Sequence, residues 1–207
     1  MDYDSLVQGT DISHWQGSVD FAALATDGVK FDYIKADQNT SLDPMWLTNF
    51  CASEGAGILT MAYVFLTAND TQASVDKMID LLADAENTPI VLDWEAQGVP
   101  DAIVELWING LAGRRILAYY GISPPDSLTA LIATVPRILP EYAPQPRFPP
   151  WDGVSTPNWT KEWLIWQRSE QGSFQGETGN FDLDVLAVPL ERFKTWCMTG
   201  KWSAASA

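Results

Sequence analysis

The chain has 207 residues, 46% hydrophobic and 19% charged, which supplies one domain with a core and excludes wholesale disorder. No run of 18 apolar residues appears, so membrane insertion through an apolar helix is not expected. Twelve Lys and Arg against 27 Asp and Glu leave a net charge of −15, and that excludes wrapping nucleic acid by bulk charge, which needs a basic face.

The opening Met1-Asp2-Tyr3-Asp4-Ser5 has no basic or apolar leader region. Synthesis in a cytoplasm without a signal peptide is the expectation. Val7 to Ser13 reads as a first strand and Lys30 to Ala36 as a second. Asp43-Pro44 opens a helix that Gly55 closes, with Leu47, Phe50, Cys51 and Glu54 at helical spacing. Gly57 to Leu66 is nearly continuous apolar sequence, as in a strand buried on both faces. Thr71 to Ala85 carries Val75, Met78, Ile79, Leu82 and Ala85 on one helical stripe. Thr88 to Glu95 is a fourth strand, Asp101 to Gly113 a helix, Arg115 to Tyr120 a strand and Asp126 to Ala133 a helix.

Seven of the 13 prolines fall between Pro136 and Pro157. That stretch predicts irregular extended chain over the surface, with a short strand near 135–139. Trp163 to Gln167 and Asn180 to Leu186 read as the last strands. Pro189 opens a last helix with Leu190, Phe193 and Cys197 on one side, and 203–207 reads as a frayed tail. The whole is one domain with a structured core over about 7–197, without internal repeats. Strand and helix in alternation predict a parallel α/β fold, as barrel or open sheet. No G-x-G-x-x-G or Walker sequence is present, which argues against a nucleotide site.

Two distant cysteines, Cys51 and Cys197, make no disulfide framework and are expected as buried free thiols, with one long-range disulfide between them as the alternative. With one histidine and no CxxC, no metal and no cofactor is expected. His14 itself is assigned a structural hydrogen bond. Carboxylates are plentiful. Residues two apart in a strand share a face, so Asp93 and Glu95 point the same way at the end of an apolar run. Ligands of parallel α/β folds sit at those carboxyl ends. Two neighbouring acids repel unless one keeps its proton, the splitting that acid–base chemistry on a glycosidic bond needs. Asp11 ends the first strand and Asp182 lies on the last. Those strands are neighbours in a closed barrel, so four acids converge on one mouth. Turn or cap duty is the alternative for any single aspartate.

Ten tryptophans are the second signal. Trp15 and Trp166, near strand ends, are candidates to stack on sugar rings, with Tyr63, Tyr119 and Tyr120 in the same class. Trp46, Trp107 and Trp196 are assigned to core packing. Lys35, at the end of the second strand, is placed to pair with an acid.

Gly9-Thr10-Asp11-Ile12-Ser13-His14-Trp15-Gln16-Gly17, Phe31-Asp32-Tyr33-Ile34-Lys35-Ala36, Ala62-Tyr63-Val64-Phe65, Leu92-Asp93-Trp94-Glu95, Trp166-Gln167 and Phe181-Asp182-Leu183-Asp184 follow one another in order. Together they resemble glycoside hydrolase family 25, the Chalaropsis-type lysozymes, from about Gly9 to Val188. The resemblance implies an irregular TIM-like β/α barrel with fewer helices than strands. It implies cleavage of the β-1,4 bond between N-acetylmuramic acid and N-acetylglucosamine. By position, Glu95 is then the general acid/base, Asp93 its partner at the N-acetyl group or the developing charge, and Asp11 and Asp182 flank the scissile sugar. Tyr63, Trp15, Tyr119, Trp166, Lys35 and Asp37 are placed against substrate. A carboxylate nucleophile and the substrate's own acetamide both remain open; carboxylates ~5–5.5 Å apart suit the former.

The family's second strand usually continues Lys-Ala-Thr-Glu-Gly, whereas this chain reads Lys35-Ala36-Asp37-Gln38-Asn39. The family often has Tyr-His-Phe where Tyr63-Val64-Phe65 stands here. These departures touch the cleft wall and bear on sugar specificity. The expected role is a monomeric phage endolysin acting on peptidoglycan strands of the bacterial wall, with no separate wall-binding domain. The alternative is a glycan-binding or virion-associated protein on the same barrel, its catalysis lost or altered.

Bacterial walls are anionic and repel a chain of −15 at long range, and salt screens that repulsion beyond ~8 Å at physiological strength. Clearing of purified walls, followed by turbidity, is therefore expected to speed up from very low to moderate salt. A steady fall with added salt contradicts this.

Overall fold

The computed structural model describes residues 3–121, 123–175, 177 and 179–202; the expected tail at 203–207 lies outside them. In chain order the elements are β1 (Val7–Ile12), α1 (Phe21–Thr26), β2 (Val29–Gln38), β3 (Ser41–Leu42), α2 (Trp46–Gly55), β4 (Leu59–Phe65), α3 (Gln72–Leu81) and β5 (Ile90–Asp93). There follow α4 (Asp101–Gly110), β6 (Ile116–Tyr119), α5 (Asp126–Ile132), β7 (Arg137–Pro140), β8 (Ile165–Gly172), β9 (Phe181–Leu186) and α6 (Leu190–Thr199). Hydrogen-bonded neighbours run β1-β9-β8-β7-β6-β5-β4-β2, and β1 pairs with β2 again, so eight strands close into a barrel while β3 hangs on the edge of β2. The six α-helices among the described residues are fewer than the strands, as expected.

From β1 through β2, β4, β5, β6 and β7 to β8 every pairing is parallel. β9 is antiparallel to both β8 and β1, which makes the expected barrel irregular. The connection from Gly172 to Phe181 is too short for a crossover helix, and a short connection can only return the chain antiparallel. β9 therefore starts at the mouth where the parallel strands end.

Alternation along the strands builds two layers. Ile90, Leu92 and Trp94 pack with Val75, Met78, Val104 and Trp107 of the helices, in the layer outside the barrel. Val91 packs with Phe31, Met61, Leu117 and Ile138 inside it. Phe193 and Trp196 of α6 join that inner cluster, with the Phe193 ring 6.4 Å from Phe31, so the last helix plugs the barrel at the strand-start end. Gly9 leaves room for the Phe31 ring, since a Cβ there would sit 2.3 Å from it. The proline-rich stretch is irregular apart from β7. Buried Arg137 ties it down, its guanidinium 4.3 Å from the Tyr120 ring centroid and 4.8 Å from that of Phe148.

α2 corrects the sequence reading. Its regular turns begin at Trp46, and Asp43 caps the turn that leads into them: its Oδ1 accepts from the Met45 N–H at 2.9 Å and its carbonyl from the Trp46 N–H at 3.0 Å, while its Oδ2 accepts from His14. The inward face is Trp46, Asn49, Phe50 and Ser53, leaving Leu47 and Cys51 exposed. Both cysteines are free, and only Cys197 is buried. The face was shifted by its polar members. Ser53 Oγ donates to Asp32 Oδ2 at 2.5 Å and lies 2.7 Å from Thr60 Oγ1.

Burial pushes the Asp32 carboxyl up to about 7, against the hydrogen bonds from Ser53 and Thr60. The folded chain thus holds a proton between about pH 4 and 7 that the unfolded chain has released. The stabilisation is complete below about pH 4 and is lost as pH rises through about 7. Relative to the parent, Asp32→Asn is expected to remove up to ~4 kcal/mol of the fall in unfolding free energy between pH 4 and pH 8. Urea unfolding at the two pH values measures it, and parallel pH slopes contradict it.

Candidate active site

β1, β2, β4, β5 and β6 all end at one mouth, and β9 begins there. A cavity of about 290 Å³ opens at that mouth, lined among others by Asp11, Asp93, Glu95, Asp182, Lys35 and Tyr63. A larger one of about 740 Å³, lined by Trp94, Gly98, Val99 and Ser123 among others, adjoins it. Glu95, Tyr119 and Tyr142 border both cavities. The four predicted acids are therefore brought together, and the two compartments meet at Glu95.

β5 itself ends at Asp93, two residues before the sequence reading, yet the alternation continues. The Trp94 N–H donates to the Tyr119 carbonyl at 3.0 Å, and the Trp94 ring packs outward near Tyr120. That leaves Asp93 and Glu95 on the same inner side. Asp93 Oδ1 is shielded from solvent and has no hydrogen-bond partner among the described residues, whereas Glu95 is exposed. Burial and then the charge of Glu95 hold the Asp93 carboxyl well above its ordinary value, against the pull of Lys35. Burial also raises Glu95, again opposed by Lys35. The Lys35 ammonium is buried, donates to Gln38 Oε1 at 2.8 Å and sits 4.9 Å from the Phe65 ring centroid.

Across the cavity, burial raises Asp11, and Asp182 and Asp184 add to it, while hydrogen bonds from Gln167 and Tyr33 oppose. Asp182 is pushed up to about 6 by burial and then by Glu170. Asp184, fully buried, accepts from the Tyr33 hydroxyl at 2.9 Å. The Gln167 amide donates to Asp11 Oδ2 at 2.7 Å, and its Oε1 accepts from the hydroxyls of Tyr119 and Tyr142, each at 2.8 Å.

At the rim, Ser13 and Gln16 cap each other around a tight turn, the Ser13 N–H donating to Gln16 Oε1 at 2.9 Å. The turn projects Trp15, which is 82% exposed, into the cavity wall. The His14 ring lies 4.6 Å from the Trp15 ring, and its Nδ1–H donates to Asp43 at 2.7 Å. His14 thus has the structural bond assigned to it.

Three predicted residues lie elsewhere. Trp166 is 2% exposed, packs against Tyr3 and Trp163, and donates its indole N–H to the Glu141 carbonyl at 2.8 Å. Its neighbour Gln167 takes the inner face of β8, so the strand was right and the residue one place off. Asp37 is ion-paired with Lys77 of α3 and does not border the cavity. The register of β2 against β4 slips between Lys35 and Asp37, and a bulge reverses which face later residues take. Tyr120 likewise points outward, its hydroxyl donating to the Trp159 carbonyl. Tyr33, Tyr142, Gln167, Glu170 and Asp184 were missed. Tyr33 stands two before Lys35 and Asp184 two after Asp182, so strand alternation could have found both. Tyr142 has no such signal, because it lies in the irregular proline-rich stretch.

The family model for glycosyl hydrolases family 25 matches residues 10–177. Lysozyme M1 of Streptomyces globisporus is 28% identical over 202 residues, covering 85% of this chain and 66% of that protein. The autolytic lysozyme of Clostridium acetobutylicum is 27% identical over 193 residues, covering 87% of this chain and 56% of that protein. The chain thus spans just under two thirds and just over half of the length of these relatives. Among solved structures, the bacterial lysozyme from Streptomyces coelicolor has the same fold: TM-score 0.70, 23% identity, 95% of this chain and 98% of that one.

The two tryptophans separate in a stability measurement. Trp166→Ala empties a packed site and is expected to cost ~3–5 kcal/mol, whereas Trp15→Ala changes an exposed ring and stays within ~0.5 kcal/mol. Denaturant unfolding reads both, and comparable losses contradict the placement.

Proposed function

We propose that this chain, which belongs to glycosyl hydrolases family 25, cleaves the β-1,4 bond between N-acetylmuramic acid and N-acetylglucosamine in peptidoglycan. The observation that carries the reading is the convergence of Asp11, Asp93, Glu95 and Asp182 on one open cavity at the mouth of a closed barrel. Such a cluster is costly to keep unless its proton affinities are used.

Glu95 is the proton donor. It is the most accessible of the four predicted acids and stands at the junction of the two compartments, and its partial burial favours the protonated form, against Lys35. Its proton passes to the glycosidic oxygen as the bond to the anomeric carbon breaks and the electron pair stays on that oxygen. The resulting Glu95 carboxylate then takes a proton from the water that completes hydrolysis, which restores the acid. Asp93 offers its unpartnered Oδ1 to the N–H of the substrate's acetamide. Asp11 and Asp182 face the positive charge that develops on the sugar ring. Trp15 supplies an exposed aromatic face at the rim for a neighbouring sugar.

Glu95→Gln keeps the shape and removes the proton, so release of reducing ends from purified walls is expected to fall ~10²–10⁴-fold with the thermal transition unchanged. Mass spectrometry of the digest is expected to find the new reducing end on muramic acid. Full activity of Glu95→Gln, or reducing ends on glucosamine, overturns the assignment. The cellular role we propose is host lysis by a phage endolysin. That role requires lysis when the chain is co-expressed with a membrane-perforating protein and survival when it is expressed alone.

A further inference from the structure

We propose that Gln167 is the positioning residue for Asp11, held in a fixed orientation by the hydroxyls of Tyr119 and Tyr142. The proposal rests on the hydrolase reading above and adds residues which that reading does not use.

The geometry is a relay of three hydrogen bonds. Tyr119, from the end of β6, and Tyr142, from the chain just beyond β7, both donate to Gln167 Oε1 at 2.8 Å. The Gln167 Nε2 donates to Asp11 Oδ2 at 2.7 Å. An amide oxygen has two lone pairs, and here both are filled. Turning the amide over would set its oxygen against a carboxylate, which when ionised only accepts. The side chain is buried, so little solvent competes for these partners. Gln167 thus has one orientation, and it aims an N–H at Asp11.

Asp11 needs such a guide. Asp182 and Asp184 of β9 both act on it as like charges. The other titratable groups coupled to it are Tyr33 of β2, Tyr63 of β4, Tyr119 of β6 and Tyr142. Repulsion from β9 and donation from Gln167 act on the same carboxylate, and the amide favours the ionised form with Oδ2 turned toward β8. A bond from a neutral donor to a charged carboxylate is stronger than one between neutral partners and holds the carboxylate in one rotamer.

The relay also reaches the surface. Tyr142 is 53% exposed and borders both compartments, so it lies where a glycan strand would pass. Its hydroxyl is two hydrogen bonds from Asp11. The lock on Gln167 is therefore already closed in this structure, with one of its two hydroxyls contributed by a side chain that a bound strand would touch.

The test is Gln167→Glu in the full chain. The glutamate still accepts from both tyrosines and loses the donor to Asp11. Expected are a ~10–100-fold fall in kcat, a KM within about twofold, and an acid limb of the pH–rate profile moved to higher pH. Tyr142→Phe removes one lock at an exposed position. It is expected to move the same limb in the same direction with a smaller loss of kcat, and it decides the matter if Gln167→Glu does not fold. Because the new glutamate also adds a charge beside Asp11, the uncharged Tyr142→Phe decides the cause: a purely structural amide would leave its limb in place, and an unmoved limb in folded Tyr142→Phe overturns the proposal. An inactive Glu95→Gln beside an unaffected Gln167→Glu removes the relay and keeps the hydrolase. A parent chain that releases no reducing ends removes both.

Discussion

Six carboxyl groups, those of Asp11, Asp93, Glu95, Glu170, Asp182 and Asp184, share one end of a barrel, and Asp11, Asp93 and Asp184 are largely kept from water. That constraint organises the rest. Asp11, Asp93 and Asp184 are all raised mainly by burial and then by one another or by the neighbouring acids Glu95 and Asp182. Such a group can stay folded only if protons are shared and donors are placed close by. Tyr33 and Gln167 are such donors, to Asp184 and Asp11, and the Lys35 ammonium acts on Asp93 and Glu95 as a nearby positive charge. Each comes from a strand that the barrel closure fixes, so the electrostatics are set by covalent topology more than by flexible side chains.

The barrel core sits away from this cluster. Phe31, Met61, Val91, Leu117 and Ile138 fill the interior, and α6 closes the opposite end with Phe193 and Trp196. Apolar packing therefore carries stability at one end, while the mouth tolerates like charges and an unpartnered oxygen on Asp93. Polar strain of this sort at a functional end, offset by packing elsewhere, is what a site built on a stable scaffold is expected to show.

The sequence made the barrel staves legible because the parallel strands carry long apolar runs, and Gly57 to Leu66 is the clearest of them. Asp93 and Glu95 were legible through strand alternation alone. Five things were not. A further acid, Asp184, stands in plain alternation with Asp182, but turn chemistry explains a lone aspartate equally well. Trp166 and Gln167 are adjacent, and composition favours the aromatic where the pleat favours the amide. Asp37 fell on the wrong side of a bulge that leaves no mark in composition. The inward face of α2 was misplaced for a related reason: Asn49 and Ser53 are polar yet buried, and Ser53 has Asp32 for company. Short helix α1 went unread, since Phe21–Thr26 is too brief to show a period. Sequence pattern records burial against apolar neighbours well and burial against polar neighbours poorly.

The reversed strand β9 has a consequence of its own. It delivers Asp182 and Asp184 to the mouth from a short return that crosses no helix, while Asp93 and Glu95 arrive on a stave locked between β4 and β6. The two halves of the acidic cluster thus belong to separate structural inheritances. Because Asp182 acts on Asp93 and Glu95 acts on Asp182, lengthening or resequencing the β8–β9 return would shift one half directly and the other through its field, giving descendants of this scaffold a single short segment on which to vary their chemistry.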